Sequence, residues 1–193
     1  MISQTVPSIG SKHKLIVVEG IDGTGKTTVA HRLARVIGGK YIRTPPPPFD
    51  SARQYVDKQG SLDTRFLFYL CSVSYASDVI RRELAKRDVV CDRYLGSTIA
   101  YHRALGIRLD WNMEELTLVA PDYAFLLEVS DESERMKRIR RRRRITAGDR
   151  LLEDEQLRKR MVSEFERFQW IKVDTAKRNA DEVVEWIRGA LKG

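Results

Sequence analysis

The sequence predicts an α/β domain: a three-layer sandwich in which helices cover both faces of a five-stranded parallel sheet, with an arginine-rich lid. Three observations predict it. Short apolar runs alternate with helix-period stretches along the chain, the order that right-handed strand–helix–strand crossovers produce. A glycine-rich segment, Gly20 to Thr27, stands between the first apolar run and the first helical pattern. A block of arginines, Arg140–Arg144, breaks a later helical pattern into a very basic segment.

Taken in order, Leu15–Val18, Lys40–Arg43, Val89–Cys91, Ala124–Val129 and Ile171–Val173 read as strands. Each is, or begins, a near-continuous apolar run, as expected for strands covered on both faces. Ala30, Leu33, Ala34 and Ile37 follow helical spacing and stop at Gly38-Gly39, a C-terminal cap. Pro45–Pro48 cannot donate backbone hydrogen bonds and reads as an extended loop. Leu62, Phe66, Leu70, Val73, Ser77, Ile80 and Leu84 form the stripe of a long helix. Asp131 opens another, running through Met136 and Ile139 into the arginines; Leu151 to Phe168 is a further helical stretch, and Val183, Val184, Ile187 and Leu191 mark a last one.

At 193 residues, 42% of them hydrophobic, residues 1–193 suffice for one compact domain. A net charge of +8 suits a polyanionic ligand: nucleotide, nucleic acid or anionic lipid. No apolar run approaches the ~20 residues that span a bilayer. Met1 to Lys14 is polar, without the apolar core of a signal peptide. Cys71 and Cys91 are isolated and read as buried, reduced thiols. Together these point to a cytoplasmic enzyme without a membrane partner.

Gly20-Ile21-Asp22-Gly23-Thr24-Gly25-Lys26-Thr27 matches G-x-x-x-x-G-K-[ST] in full, with a strand before it and a helix from Thr28 after it. Glycines let the backbone curl so that successive N–H groups aim at phosphate oxygens, and the helix N-terminus adds partial positive charge. Lys26 should reach the β- and γ-phosphates of ATP and the Thr27 hydroxyl should coordinate Mg²⁺. The fold is then a P-loop NTPase sandwich. No guanine signature of the NKxD kind follows, which disfavours a GTPase. A second constellation, Val89-Val90-Cys91-Asp92-Arg93, ends a strand in a carboxylate that can orient Mg²⁺ and a guanidinium that can clamp a phosphate.

These motifs resemble the thymidylate kinase family of nucleoside monophosphate kinases. The resemblance lies in Glu19 to Thr28, in Asp92-Arg93-Tyr94 followed by Ser97 and Ala100-Tyr101, in Pro121-Asp122-Tyr123 before the fourth strand, and in Asp149-Arg150-Leu151 ending an arginine-rich lid at about 140–150. It implies transfer of the ATP γ-phosphate to a nucleoside monophosphate, dTMP first, by a homodimer. It also implies roles. Gly20, Asp22, Gly23, Thr24, Gly25, Lys26, Thr27 and Thr28 would bind ATP. Arg43 and Arg93 would grip the acceptor phosphate, Asp22 would take a hydrogen bond from its 3′-hydroxyl, and Phe68, with Tyr69 as its neighbour, would stack on the base; Ser72 and Ser97 would also belong to the acceptor site. Tyr101 would pack under the sugar against a 2′-hydroxyl. Lys26, Asp92, Arg93 and Arg150 would be catalytic, with Thr27 and Asp92 on the metal. On pattern alone Phe68, Tyr69 and Tyr101 read equally as core aromatics.

Two departures stand out. The family's usual Arg-Glu-Pro-Gly is here Arg43-Thr44-Pro45-Pro46, and Ser72 stands where an arginine usually reads the thymine edge, with no Arg or Lys from Phe66 to Ile80. A changed acceptor is one alternative. For the arginine run, a lid, a solvated basic face and nucleic-acid binding all remain open, the lid favoured and nucleic acid not. A nucleic-acid-stimulated ATPase and a non-catalytic nucleotide binder are the readings from other classes.

Overall fold

The structure, a computed structural model, describes residues 12–108, 116–141 and 147–192. In them the expected sandwich is present. Strands β1 (Leu15–Glu19), β2 (Lys40–Arg43), β3 (Val89–Asp92), β4 (Tyr123–Glu128) and β5 (Ile171–Asp174) form one parallel sheet in the order β2-β3-β1-β4-β5. The register pairs Val18 and Arg43 with Asp92, so the ends of β1, β2 and β3 share one edge of the sheet.

Alternation along β1 explains the layers. Leu15 and Val17 point to one face, where they pack with Phe66, Val73, Ile80 and Ile99 of α3 (Leu62–Leu84) and α4 (Leu95–Ala104). Ile16 and Val18 point to the other, against Val29 and Leu33 of α1 (Lys26–Val36) and Val184 and Ile187 of α8 (Ala180–Ala190). Burying such side chains contributes about 1.5–3 kcal/mol each before conformational entropy is set against it. Burial on both faces holds for β1 and β3; the edge strands β2 and β5 bury only Ile42 and Val173.

Helix ends follow the side chains. Gly38, with φ 67°, turns the chain out of α1, and the Gly39 N–H donates to Ala34 O at 2.8 Å. The hydroxyl of Ser61 caps α3 and the Asp131 carboxylate caps α5 (Glu132–Arg140). Pro45–Pro48 is not wholly extended: Pro47–Phe49 is a 3-10 turn with proline at its start, leading into α2 (Asp50–Gln59), none of whose residues is buried. The stretch from Leu151 to Phe168 is not one helix. Short α6 (Ala147–Leu151) ends there, and the Asp154 carboxylate restarts the chain as α7 (Glu155–Phe165) by accepting from Gln156 and Leu157. Cys91 is buried as expected; Cys71 is exposed, because position 71 falls on the solvent side of α3. Arg142–Arg144, the centre of the expected lid, lie outside the described residues. Among the described residues no helix is long and apolar enough to cross a membrane.

Candidate active site

The site begins where β1 ends. Gly20 has φ 139°, and a Cβ there would stand 2.3 Å from the Leu127 carbonyl oxygen, so only glycine lets the chain leave the sheet at this point. Lys26 opens α1 and is buried; its ammonium donates to Ile21 O at 2.6 Å and lies 4.0 Å from the Asp22 carboxylate. Neighbouring loop carbonyls are also turned toward donors. Gly20 O accepts from Arg93 at 3.2 Å, Asp22 O from Arg135 at 2.8 Å and Thr24 O from the Thr175 hydroxyl at 3.2 Å. With its carbonyls engaged in this way, the loop is free to offer N–H groups to an anion. Thr27 and Thr28 are exposed beside it.

Arg93 is where the two sequence constellations meet. It follows β3 with φ 65°, unusual for a non-glycine residue, held there by its N–H on Val18 O (3.0 Å) and by the Thr44 hydroxyl on its carbonyl (3.0 Å). The guanidinium forms an ion pair with Asp22, donates to the Ser97 hydroxyl at 3.0 Å and lies over the Tyr101 ring at 5.5 Å. Burial opposes its charge, but Asp22, Tyr101, Asp92 and Glu19 outweigh that and hold its pKa above the ordinary arginine value. Behind it Glu19, fully buried, accepts from the Tyr94 and Ser97 N–H groups at 2.8 and 3.0 Å and from the Ser97 hydroxyl. Burial raises the Glu19 pKa, against the hydrogen bonds from Ser97. Glu19 thus locks the start of α4 to β1 and fixes the hydroxyl on which Arg93 rests. Its acidic side chain at the end of an apolar run was a visible signal of this role.

Asp92 is 5% exposed. The Tyr41 hydroxyl donates to Oδ2 at 3.1 Å, while Oδ1 is buried without a hydrogen-bond partner. A buried carboxylate oxygen left open beside a phosphate loop fits a hard divalent cation or its waters. Among the described residues no three His, Cys, Asp or Glu side chains cluster as a self-contained metal site. The donor set therefore fits an ion that takes most of its ligands from nucleotide phosphates and water.

On the opposite side of Arg93, Arg43 ends β2, pairs with Asp50 and donates to Pro45 O at 2.8 Å. Phe68 and Tyr69 of α3 reach the same segment: Phe68 meets Phe49 edge-on at 5.6 Å, and the Tyr69 hydroxyl accepts from Arg53 of α2 at 3.1 Å. Ser72 is fully buried and its hydroxyl donates to Tyr69 O at 2.7 Å, one turn back in its own helix. The structure thus brings Asp22, Lys26, Arg93, Ser97 and Tyr101 into one cluster and sets Arg43 on the neighbouring strand. It gives Ser72 an internal partner. At the lid, Asp149 is buried and Arg150 exposed. Sequence reasoning passed over Glu19, Tyr41, Asp50 and Arg135.

Along the outer side of the loop a cavity of about 610 Å³ is lined by Thr24, Gly25, Thr28, Arg138, Asn179 and Val183, among others. Arg138 is held there by the Thr175 hydroxyl (2.9 Å) and carbonyl (2.6 Å). One end of this cavity is thus the phosphate loop and the other is the start of α8, room for the nucleoside part of a nucleotide.

Burial, then the nearby Arg93 charge, lower the Lys26 pKa to about 7, against the pull of Asp22, Asp92 and Glu19. A triphosphate on the loop adds negative charge beside the ammonium and raises that pKa. Below pH 7 Lys26 is protonated with or without ligand; between 7 and the ordinary 10.5, only the liganded protein keeps the proton. Nucleotide binding at pH 8 should therefore take up a fraction of a proton, read as a buffer-dependent binding enthalpy in calorimetry. Lys26→Met should abolish the uptake.

Comparison with known proteins follows the same lines. The thymidylate kinase family profile matches residues 18–187. A probable thymidylate kinase of Methanocaldococcus jannaschii is 32% identical over 92% of this chain and 95% of that protein. A thymidylate kinase of Prochlorococcus marinus is 30% identical over 94% of this chain and 99% of its own length. Among solved structures, Candida albicans thymidylate kinase superposes with a TM-score of 0.74 at 20% identity, covering 93% of this chain and 91% of that one. Deoxyadenosine kinase from M. mycoides, solved with dATP, gives 0.70 at 17% identity over 94% and 100%. At those identities the two structures speak for the fold alone.

Proposed function

The chain belongs to the thymidylate kinase family, and we propose from that membership and the site that it transfers the γ-phosphate of ATP to dTMP, giving dTDP and ADP. The observation that carries the reading is the convergence, at one sheet edge, of the phosphate loop with two arginines on successive strand ends, Arg93 and Arg43. One loop accounts for a bound nucleotide; an arginine pair facing it accounts for a second phosphate.

In this mechanism ATP lies along the loop with its nucleoside in the 610 Å³ cavity. Lys26 leaves Ile21 O for the β- and γ-phosphates. Arg93 and Arg43 exchange their carboxylate partners, Asp22 and Asp50, for the acceptor phosphate, and Asp22 turns to the acceptor 3′-hydroxyl. Phe68, Tyr69, Ser97 and Tyr101 line the acceptor side. The acceptor phosphate, with a second pKa of about 6, is already dianionic near neutrality and needs no general base. Its oxygen bonds to the γ-phosphorus as the bond from that phosphorus to the β-phosphate oxygen breaks, and the loop N–H groups and Lys26 take the charge that builds on ADP. Mg²⁺, held through Thr27 and Asp92, would neutralise phosphate charge. Residues 140–150 act as the lid, with Arg150 meeting the γ-phosphate on closure.

Residues 1–193 are read as a single kinase domain. Its assembly is a homodimer through the exposed face of α3, where Leu67, Cys71 and Tyr75 follow one another at four-residue intervals; sedimentation at the 22.3 kDa of one chain would end that idea. The free, unbridged thiols of Cys71 and Cys91 suit the reducing cytoplasm. One observation favours a wider acceptor range. Position 72 is a serine and offers no guanidinium to a base edge, and its hydroxyl proton is already given to Tyr69 O within its own helix.

The deciding experiment gives the protein ATP, Mg²⁺ and a panel of deoxy- and ribonucleoside monophosphates and follows each diphosphate. Selective dTMP turnover is the expected result. Equal turnover of several monophosphates would replace dTMP selectivity by the wider range. ATP hydrolysis stimulated only by RNA or DNA would overturn the kinase reading.

A further inference from the structure

We propose that Arg135 is a positioning residue for phosphoryl transfer: from α5 it holds the Asp22–Gly23 peptide with its carbonyl turned away from the bound triphosphate. The inference rests on the reading of Gly20–Thr27 as the ATP phosphate site.

Arg135 is the largest fully buried side chain among the described residues, at 1% exposure. It occupies a core position, one turn before buried Ile139 on the same face of α5, where an apolar residue of similar length would avoid the loss of hydration that a guanidinium suffers. Its partners show what the charge does there. One edge grips Glu132 through two hydrogen bonds, Nε to Oε2 at 2.7 Å and Nη2 to Oε1 at 2.6 Å. The remaining nitrogen, Nη1, donates to Asp22 O at 2.8 Å. The stem lies against the loop so closely that a Cβ on Gly23 would stand 2.7 Å from Arg135 Cγ. Glu132 in turn receives Arg158 of α7 at 3.4 Å, which ties the helix beyond the lid to the same brace.

A peptide whose carbonyl faced the triphosphate would repel it and withdraw an N–H group from the cradle. Three basic side chains guard against this: Arg93 on Gly20 O, Lys26 on Ile21 O and Arg135 on Asp22 O. Lys26 and Arg93 both have phosphates to bind during the reaction. Arg135, enclosed behind the loop, does not reach substrate, so its grip persists when the other two turn to their ligands. It also fixes the backbone of Asp22, whose carboxylate pairs with Arg93.

The test titrates wild type, Arg135→Met, Arg135→Lys and Glu132→Gln with ATP·Mg²⁺ and with inorganic tripolyphosphate, alongside thermal unfolding. Methionine keeps the packing of the aliphatic stem without the charge, so the fold should survive while both ligands weaken together by roughly 30-fold. Lysine, whose ammonium can still reach Asp22 O, should recover part of that loss. If the methionine variant does not fold, Glu132→Gln decides. Its side chain is 44% exposed and glutamine keeps one acceptor for Arg135, so the protein should stay folded with a lowered melting temperature while both affinities fall about threefold to tenfold. Unchanged tripolyphosphate affinity in a folded Arg135→Met protein, or in Glu132→Gln if methionine is not tolerated, would overturn the inference and leave Arg135 a stability element. A wild type that binds neither ligand would instead remove the phosphate-loop reading beneath it.

Discussion

Lys26→Ala should reduce kcat by roughly 10²–10³-fold, with a smaller change in the KM for ATP, in a coupled assay of ADP release. The ammonium is the one buried cation inside the loop, and its charge counts most where the phosphate charge shifts toward the leaving oxygen. Lys26→Arg should not restore the rate. The site is closely walled, with the side chain 5% exposed, and a planar fork cannot take the place of a compact ammonium there. Unimpaired transfer in Lys26→Ala would show that the loop is not where the γ-phosphate is handled.

Arg93→Ala should have the largest combined effect, lowering kcat/KM for the acceptor by about 10³-fold or more and destabilising the fold by roughly 3–5 kcal/mol. The guanidinium simultaneously serves Asp22, Ser97 and Gly20 O, and its loss leaves Asp22 without its strongest counter-charge. Arg93→Lys offers one donor point where several directions are needed and should rescue little. The backbone allows a sharper check. At φ 65° an alanine keeps the strain that glycine would not feel, so Arg93→Gly should be about 1 kcal/mol more stable than Arg93→Ala and equally inactive. Denaturant melts and steady-state kinetics on the two variants separate the backbone contribution from that of the charge. Equal activity of either variant and wild type would remove Arg93 from the acceptor site.

The sheet was legible in the sequence because a strand covered on both faces must be apolar without interruption, and Leu15–Val18 is. The phosphate loop was legible because its geometry admits few residue types. What escaped notice is as informative. Helix α2 has no buried residue; its contribution is polar, through Asp50 on Arg43 and Arg53 on Tyr69, and its few apolar side chains stay outside the core. Arg135 escaped because a buried arginine looks the same in sequence as its exposed neighbours Arg140 and Arg141. Its distinction is the carbonyl opposite it, 113 positions away in the chain. Cys71 was expected to be buried because that is the commonest fate of a free cysteine, whereas on α3 position 71 lies off the buried face of Phe66 and Leu70.

The position of β1 in the middle of the sheet also has a consequence for how the protein comes into being. The strand and the loop that follows it leave the ribosome before the partners that flank β1, which lie about 74 and 107 residues further along, as the bonds from Lys14 to Asp88 and from Leu15 to Asp122 record. Contacts of that span are closed late and slowly. A nascent chain or fragment that stops before β4 contains the complete G-x-x-x-x-G-K-T stretch without Leu127, whose carbonyl crowds Gly20, or Arg135, which braces Asp22. Such a fragment has the motif but no site. ATP can therefore assist only the last stage of folding, after synthesis has passed α5, and until β4 has been made one edge of β1 has no native strand partner and is open to mispairing.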